Sequence, residues 1–338
     1  MKAAVMRGEQ RIVIEDVPTP EPGPNDIVVK IKYSGLCGSD VHRFQYGAAG
    51  DGAVMGHEFC GEVSAIGSEV TGWKEGDRVI GGGGAPPAGT VRSTAGDRYS
   101  ARTVGFDSPA FWGGFAEYAI MPAWRPLRIP DNVSWETAVL AEPASIAVHA
   151  VRASRYRVGD RVVVMGAGPI GLLVQQVLQA SGARDVFVSE PAPARAEAAR
   201  KLGATEVFDP RNEDVVARVV ELTDGLGAPL AFDCAAAKPT LQQGLEMVQR
   251  GGQLTVVSMA WEDVPLLTVE WIGREVEMKA SYGATPEDWQ IVLNLMERGQ
   301  IVSGPMIGAD AFIGFDQMQE TLTRLMKPQN DIQSVLVP

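Results

Sequence analysis

Short Val- and Ile-rich segments broken by Gly and Pro fill the first 140 or so residues, with the clearest at 27–31, 61–66 and 77–80. Apolar stretches of that length, densely punctuated by turn formers, predict strands of a compact, barrel-like β unit. From about residue 148 the grain changes. Apolar runs at 162–165, 185–189, 206–208, 230–233 and 253–258 alternate with helical patterns, among them 192–202, 213–222 and 240–248. Strands alternating with helices predict βαβ units and a parallel sheet covered on both faces. Amphipathic patterns at 289–298 and 315–326 predict two closing helices that return to the first unit. Residues 81–114 open on four glycines and show no clear period, and a loop this long is usually functional.

The first apolar run of the second unit leads straight into a glycine-rich turn formed by Gly166, Gly168, Pro169, Ile170 and Gly171. Such glycines allow a tight turn, close backbone approach to a pyrophosphate, and close packing of helix on strand. A bare GxGxxG is weak. Here a strand precedes it, a helix-compatible run follows, and Glu190 closes the next strand 190 − 171 = 19 positions on. An acid there accepts hydrogen bonds from the adenosine ribose and repels a 2′-phosphate, which favours NAD over NADP. Arg195 works on the same end of the cofactor, either stacking on adenine or accommodating that phosphate.

In the first unit, Cys37-Gly38-Ser39-Asp40-Val41-His42 is followed 57 − 37 = 20 residues later by His57-Glu58. The chain holds only three cysteines and three histidines, so this concentration of thiol, imidazole and carboxylate is informative. A catalytic zinc takes about three N, S or O ligands from the protein and keeps a fourth position open. Cys37 and His57 fit two of those places.

Composition narrows the alternatives. A chain of 338 residues is long enough for two domains, and 45% hydrophobic with 21% charged residues is ordinary for a soluble globular protein. A formal charge of −12 argues against nucleic acid or an anionic membrane as partner. The N-terminus lacks the apolar core of a signal peptide and no stretch approaches a membrane span, so the expected compartment is the cytoplasm. Cys37, Cys60 and Cys234 are odd in number, widely spaced and without a CxxC pair, which argues for reduced thiols and against a multi-cysteine structural zinc.

Taken together, CGSDVH at 37–42, GHE at 56–58, GGFAEY at 113–118, AEP at 141–143 and GAGPIG at 166–171 resemble the zinc-dependent medium-chain alcohol and polyol dehydrogenases over essentially the full length. The sorbitol and butanediol branch is the most similar, because Glu142 stands where primary-alcohol enzymes carry a cysteine. The resemblance implies an α/β protein: a GroES-like catalytic domain at 1–147 and 286–338, and a Rossmann NAD-binding domain at 148–285. It also implies oxidation of a secondary alcohol, diol or polyol to the ketone, or the reverse, by a homo-oligomer, dimer or tetramer. Many relatives carry a second, structural zinc on four closely spaced cysteines. Residues 81–114 contain none, so one catalytic zinc is expected.

By that resemblance Cys37 and His57 are zinc ligands, and Glu58 and Glu142 compete for the remaining protein position, directly or through water. Asp40 orients His57 from behind. Ser39 takes the proton of the substrate hydroxyl and His42 passes it to solvent, histidine being the side chain whose ordinary range lies nearest neutrality. Phe44, Tyr46, Phe111 and Trp112 line the substrate pocket only by analogy, since aromatics are as often core. His149 lies in an apolar helical run and reads as structural. Two rival functions stay open on the sequence: a zinc-free enone or quinone reductase, and a non-catalytic cofactor-binding protein.

Overall fold

The computed structural model describes residues 1–85, 113–327 and 330–338. Its first sheet has seven strands and is built on Asp26–Gly35, which pairs antiparallel with both Glu58–Ile66 and Tyr118–Pro122. Arg78–Ile80 and Leu127–Arg128 extend one side, and the chain's last strands, Phe312–Ile313 and Val335–Leu336, extend the other. Ile27, Val29, Phe59, Val63, Val79 and Met121 fill its interior. A hairpin of Lys2–Met6 and Ile12–Asp16 buries Ala3 to Met6 against Phe44, Phe115, Met318 and Leu322.

The second sheet holds six parallel strands in the spatial order Glu206–Phe208, Asp185–Ser189, Arg161–Met165, Ala228–Asp233, Val248–Val256, Glu277–Ala280. Numbered along the chain that order is 3-2-1-4-5-6, the doubly wound Rossmann arrangement, whose crevice lies beyond the C-terminal ends of the first and fourth strands. Val162 to Met165 are completely buried between helices on both faces, which is why that run carries no polar alternation.

Several boundaries differ from the sequence expectation, each for a local reason. The fifth strand starts at Val248, not 253, because Val248 already pairs with Ala228; the ladder then skips residues 249–252 in an irregularity and resumes at Gln253 opposite Leu230. The sixth, Glu277–Ala280, was not expected: its pattern of partly buried and exposed residues gives no apolar run. The helix expected from Trp289 starts at Pro286, since Thr285 and Asp288 cap it reciprocally ahead of the apolar periodicity. At 315–326 a 3-10 turn, Phe315–Gln317, precedes the helix Met318–Leu325.

The helix Ala141–Ala153 connects the two sheets. It packs on Pro169–Ala180 from the parallel unit and on Pro286–Glu297. Among the described residues no helix is long and apolar enough to cross a membrane. Phe111, Trp112 and most of the 81–114 loop lie outside the described residues.

Candidate metal and cofactor site

Antiparallel register sets Gly35 opposite Glu58, so the chain leaving the first strand meets the chain entering the second. Two residues past Gly35, Cys37 is the N-cap of the helix Gly38–Gln45, and Asp40 accepts the Cys37 backbone N–H through Oδ2 at 3.2 Å. One residue before the facing strand stands His57. The result is a cluster in which donor atoms of Cys37, His57 and Glu58 all lie within 4.8 Å of one another. The other oxygen of Asp40, which is 1% exposed, lies 3.4 Å from His57 Nδ1. That contact leaves Nε2 as the histidine's available ligand atom. Gly35 is required where it is: a Cβ there would sit 2.4 Å from Glu58 Oε2.

Glu142, in the first turn of the connecting helix, is not in this tight group but lines the same pocket as Cys37, Ser39 and His57. Glu58 and Glu142 are nonetheless close enough to feel each other. Burial, then Glu142, pushes the Glu58 carboxyl up to about 8, and burial raises Glu142 as well. Burial with Glu58 alongside pushes the Cys37 thiol up to about 11. Burial opposes a charged His57, but Asp40 and Cys37 outweigh it and raise the imidazole well above its ordinary range. Three buried acids that repel one another beside a histidine describe a site lacking positive charge. A divalent cation would supply it, and the S, N and O donors are those zinc accepts.

Ser39 occupies the first turn of the same helix. Its Oγ is buried without a hydrogen-bond partner among the described residues, as are Ser281 Oγ and Trp289 Nε1, and all three side chains border this pocket. His42, one turn further on, shares a 2.7 Å hydrogen bond between Nδ1 and the Gly38 carbonyl. Because a carbonyl only accepts, Nδ1 carries the proton and Nε2 is left with a lone pair. The opposite wall comes from the parallel unit: Ile170, Val257, Met259 and Tyr282.

Ile170 ties the pocket to the glycine turn. Gly168 is the N-cap of the helix Pro169–Ala180, whose first N–H groups and dipole make an anion site. Gly166 has φ +91°, and a Cβ on Gly171 would fall 1.8 Å from the Gly166 carbonyl, so helix and strand approach to a distance only glycine permits. Glu190 is buried at the end of the neighbouring strand and accepts from Ala167 N at 2.6 Å and Ala192 N at 2.8 Å. It therefore also braces the turn, a task the sequence did not announce. Arg195 donates to the Asp331 carbonyl at 2.7 Å, with Nη1 3.8 Å from where a Gly168 Cβ would be.

Comparison with known proteins identifies the family. The alcohol dehydrogenase GroES-like domain matches residues 23–131, and the zinc-binding dehydrogenase family matches 169–298. (R,R)-Butanediol dehydrogenase of Bacillus subtilis strain 168 is 31% identical over 352 residues, covering 100% of both chains. The chain belongs to the zinc-binding alcohol dehydrogenases. L-Threonine 3-dehydrogenase of Pectobacterium carotovorum is 35% identical, over 94% of this chain and 96% of its own. The crystal structure of 2R,3R-butanediol dehydrogenase from Bacillus subtilis superposes with a TM-score of 0.87 at 30% identity, covering 100% of this chain and 99% of that one. As a zinc-binding dehydrogenase the protein is an oxidoreductase that works with zinc and a nicotinamide cofactor.

Of the aromatics weighed from sequence, Phe44 is wholly buried in the core, and Tyr46 is 49% exposed beside His42. His149 is buried and bonded to Asp288 at 2.8 Å. Cys60 is completely buried. Sequence reasoning missed Gln333, whose amide reaches Glu58, and Trp261, which stacks on His42. Gln333 carries no local signal. Trp261 does: it is a large apolar residue in the polar turn Trp261-Glu262-Asp263.

Proposed function

We propose that the protein oxidises a secondary alcohol of a small diol or polyol to the ketone, with NAD as acceptor, and that the same site runs the reverse reduction. The observation that carries this reading is the gathering of Cys37, His57 and Glu58 within 4.8 Å beside a pocket that also borders the glycine turn. Residues 1–147 with 286–338 form the catalytic unit and 148–285 the nucleotide-binding unit.

One zinc per chain would be held by Cys37, His57 and Glu58, with Glu142, which lines the same pocket, as the alternative acid. When bound, the metal supplies Lewis acidity to the substrate hydroxyl and the nicotinamide takes the hydride. The chain's own work is positional. Asp40 fixes the His57 tautomer; Ser39 Oγ, buried without a partner, receives the hydroxyl proton and gives up its own. That proton reaches His42 Nε2 by way of the nicotinamide ribose, and His42 passes it to solvent. Glu190 holds the adenosine ribose and disfavours a 2′-phosphate, and Arg195 closes over the same end of the cofactor.

A diol or polyol is favoured over a simple alcohol because Ser281 Oγ and Trp289 Nε1, besides Ser39 Oγ, are orphaned polar atoms of residues bordering the pocket. A buried polar group left unpaired costs about 1–3 kcal/mol, which a substrate with a second hydroxyl recovers. The similarity to an L-threonine dehydrogenase favours a second reading, in which the neighbouring polar group is an amine and carboxylate. Turnover of a panel of diols, polyols and L-threonine with NAD and NADP, before and after chelation, separates the two. Chelator-insensitive turnover would overturn both.

The working protein is a cytoplasmic homo-oligomer, dimer or tetramer, in this reading. Sedimentation of the zinc-loaded protein tests that assembly.

A further inference from the structure

The loop after the fifth parallel strand reaches the first unit at Trp261 and returns to its own unit, where Leu267 N donates to Gln242 Oε1. Its base is fixed by Asp233, whose backbone carbonyl accepts from Val257 N and Ser258 N, and whose Oδ2 accepts from Ser258 Oγ at 2.8 Å. Met259 then lines the pocket, and Glu262 pairs with Lys238 at 3.1 Å. Between them Trp261 lies flat on His42, with ring centroids 5.0 Å apart and planes 19° apart. Tyr46 lies against the same indole at 5.6 Å and 25°. Three rings from two structural units thus form one stack, although Trp261 remains 50% exposed and Tyr46 49%.

Hydrophobic burial does not account for a half-exposed indole placed this way. The stack does have a geometric effect. The hydrogen bond from His42 to the Gly38 carbonyl fixes which ring nitrogen carries the proton but leaves the ring free to swing about that bond. Trp261 removes this freedom, because offset stacking defines the imidazole plane. With the plane and the tautomer both set, Nε2 points in one direction.

We propose that Trp261 is a positioning residue for proton transfer: stacking across the cleft, it holds His42 so that Nε2 faces the proton it accepts. The inference rests on the reading of His42 as the terminal proton acceptor, and the experiment separates the two. Since Trp261 belongs to the nucleotide-binding unit and His42 to the catalytic unit, the contact also makes that alignment depend on how the two units sit. A proton acceptor a fraction of an ångström out of place loses rate and leaves ground-state binding unchanged.

The test is a mutant cycle on the zinc-loaded enzyme, with NAD and 2,3-butanediol as the probe substrate. Trp261→Ala is expected to lower kcat about tenfold with KM nearly unchanged, and Trp261→Phe, which keeps a stacking face, to recover most of the loss. In a His42→Ala background Trp261→Ala is expected to cost nothing further. Labelling the three histidines with carbon-13 at Cε1 adds a readout independent of turnover. The His42 signal should move downfield in Trp261→Ala as the ring current is lost, while the His149 signal stays. Equal losses for Trp261→Ala with and without His42, or an unmoved His42 signal, would overturn the proposal. Undiminished kcat in His42→Ala would instead remove the proton-acceptor reading on which it depends, while leaving the stack itself visible in the spectrum.

Discussion

The side-chain amide of Gln333 donates a 3.0 Å hydrogen bond to Glu58 Oε2, joining residues 275 positions apart at the edge of the candidate metal cluster. Both side chains are buried, at 4% and 2% exposure. The strand Val335–Leu336 places the amide there by pairing with Gly35 and Ser34, next to the strand that bears Glu58. The strand Val335–Leu336 thus helps to restrain one oxygen of a carboxylate that belongs to the cluster.

Gln333→Leu removes this donor and leaves a buried acceptor unpaired. The expected outcome is a loss of about 1–3 kcal/mol in urea unfolding. Faster zinc loss to a chelator should accompany it. Unfolding and zinc release both indistinguishable from wild type would show that the bond does not restrain Glu58.

Ser39→Ala should lower kcat about 10²–10³-fold, the range of a lost proton-transfer group, while zinc content stays at the wild-type level. Stopped-flow turnover combined with metal analysis checks both halves. Retained turnover would return Ser39 to the role of a helix-turn serine.

Glu190 acts on cofactor choice and on the glycine turn at once, because its carboxylate accepts from Ala167 N and Ala192 N. Glu190→Ala should raise the KM for NAD at least about tenfold and narrow the preference for NAD over NADP, as expected when the ribose acceptor is lost. An unchanged ratio of the two cofactors would mean that the residue serves the turn alone.

Asp288, in the first turn of the helix Pro286–Glu297, faces the connecting helix and is completely buried. Burial alone would raise its pKa, but bonds from His149, Arg152 and both the N–H and the hydroxyl of Thr285 outweigh it and hold the carboxyl well below the ordinary range. A depressed carboxylate stabilises the fold above its unfolded pKa of about 3.9 and loses that contribution as the pH falls towards its folded value. Asp288→Asn should therefore cost roughly 3 kcal/mol at pH 7, the scale for breaking a buried ion pair, with the gap to wild type narrowing below about pH 4. Thermal unfolding across pH 3–7 measures it. A gap independent of pH would show that the charge on Asp288 is not what stabilises the helix pair.

How much of this was legible in the sequence depends on whether the information is local. The glycine turn and its flanking strand and helix could be read because turn, strand and helix each leave their own period within a few residues. Cys37 and His57 could be read because thiol and imidazole are rare in this chain. What periodicity does not carry is contact at long range. Strand Glu277–Ala280 has no apolar run, since it sits at the sheet edge. Gln333 reaches Glu58 only through a strand of two residues. Trp261 meets His42 only after both units are folded, though an indole in a polar turn was a clue. Glu58 and Glu142 could not be ranked from spacing, and the structure gathers only Glu58 with Cys37 and His57.

If the Cys37, His57 and Glu58 cluster holds zinc, turnover depends on that ion. Zinc per chain, measured by atomic emission on wild type and Cys37→Ala alongside NAD-dependent turnover and NADH fluorescence titration, tests it most directly. The expected result is one zinc in the wild type, almost none in the variant, no turnover in the variant, and cofactor binding retained because the glycine turn is untouched. A zinc-free Cys37→Ala that turns over at the wild-type rate would contradict it.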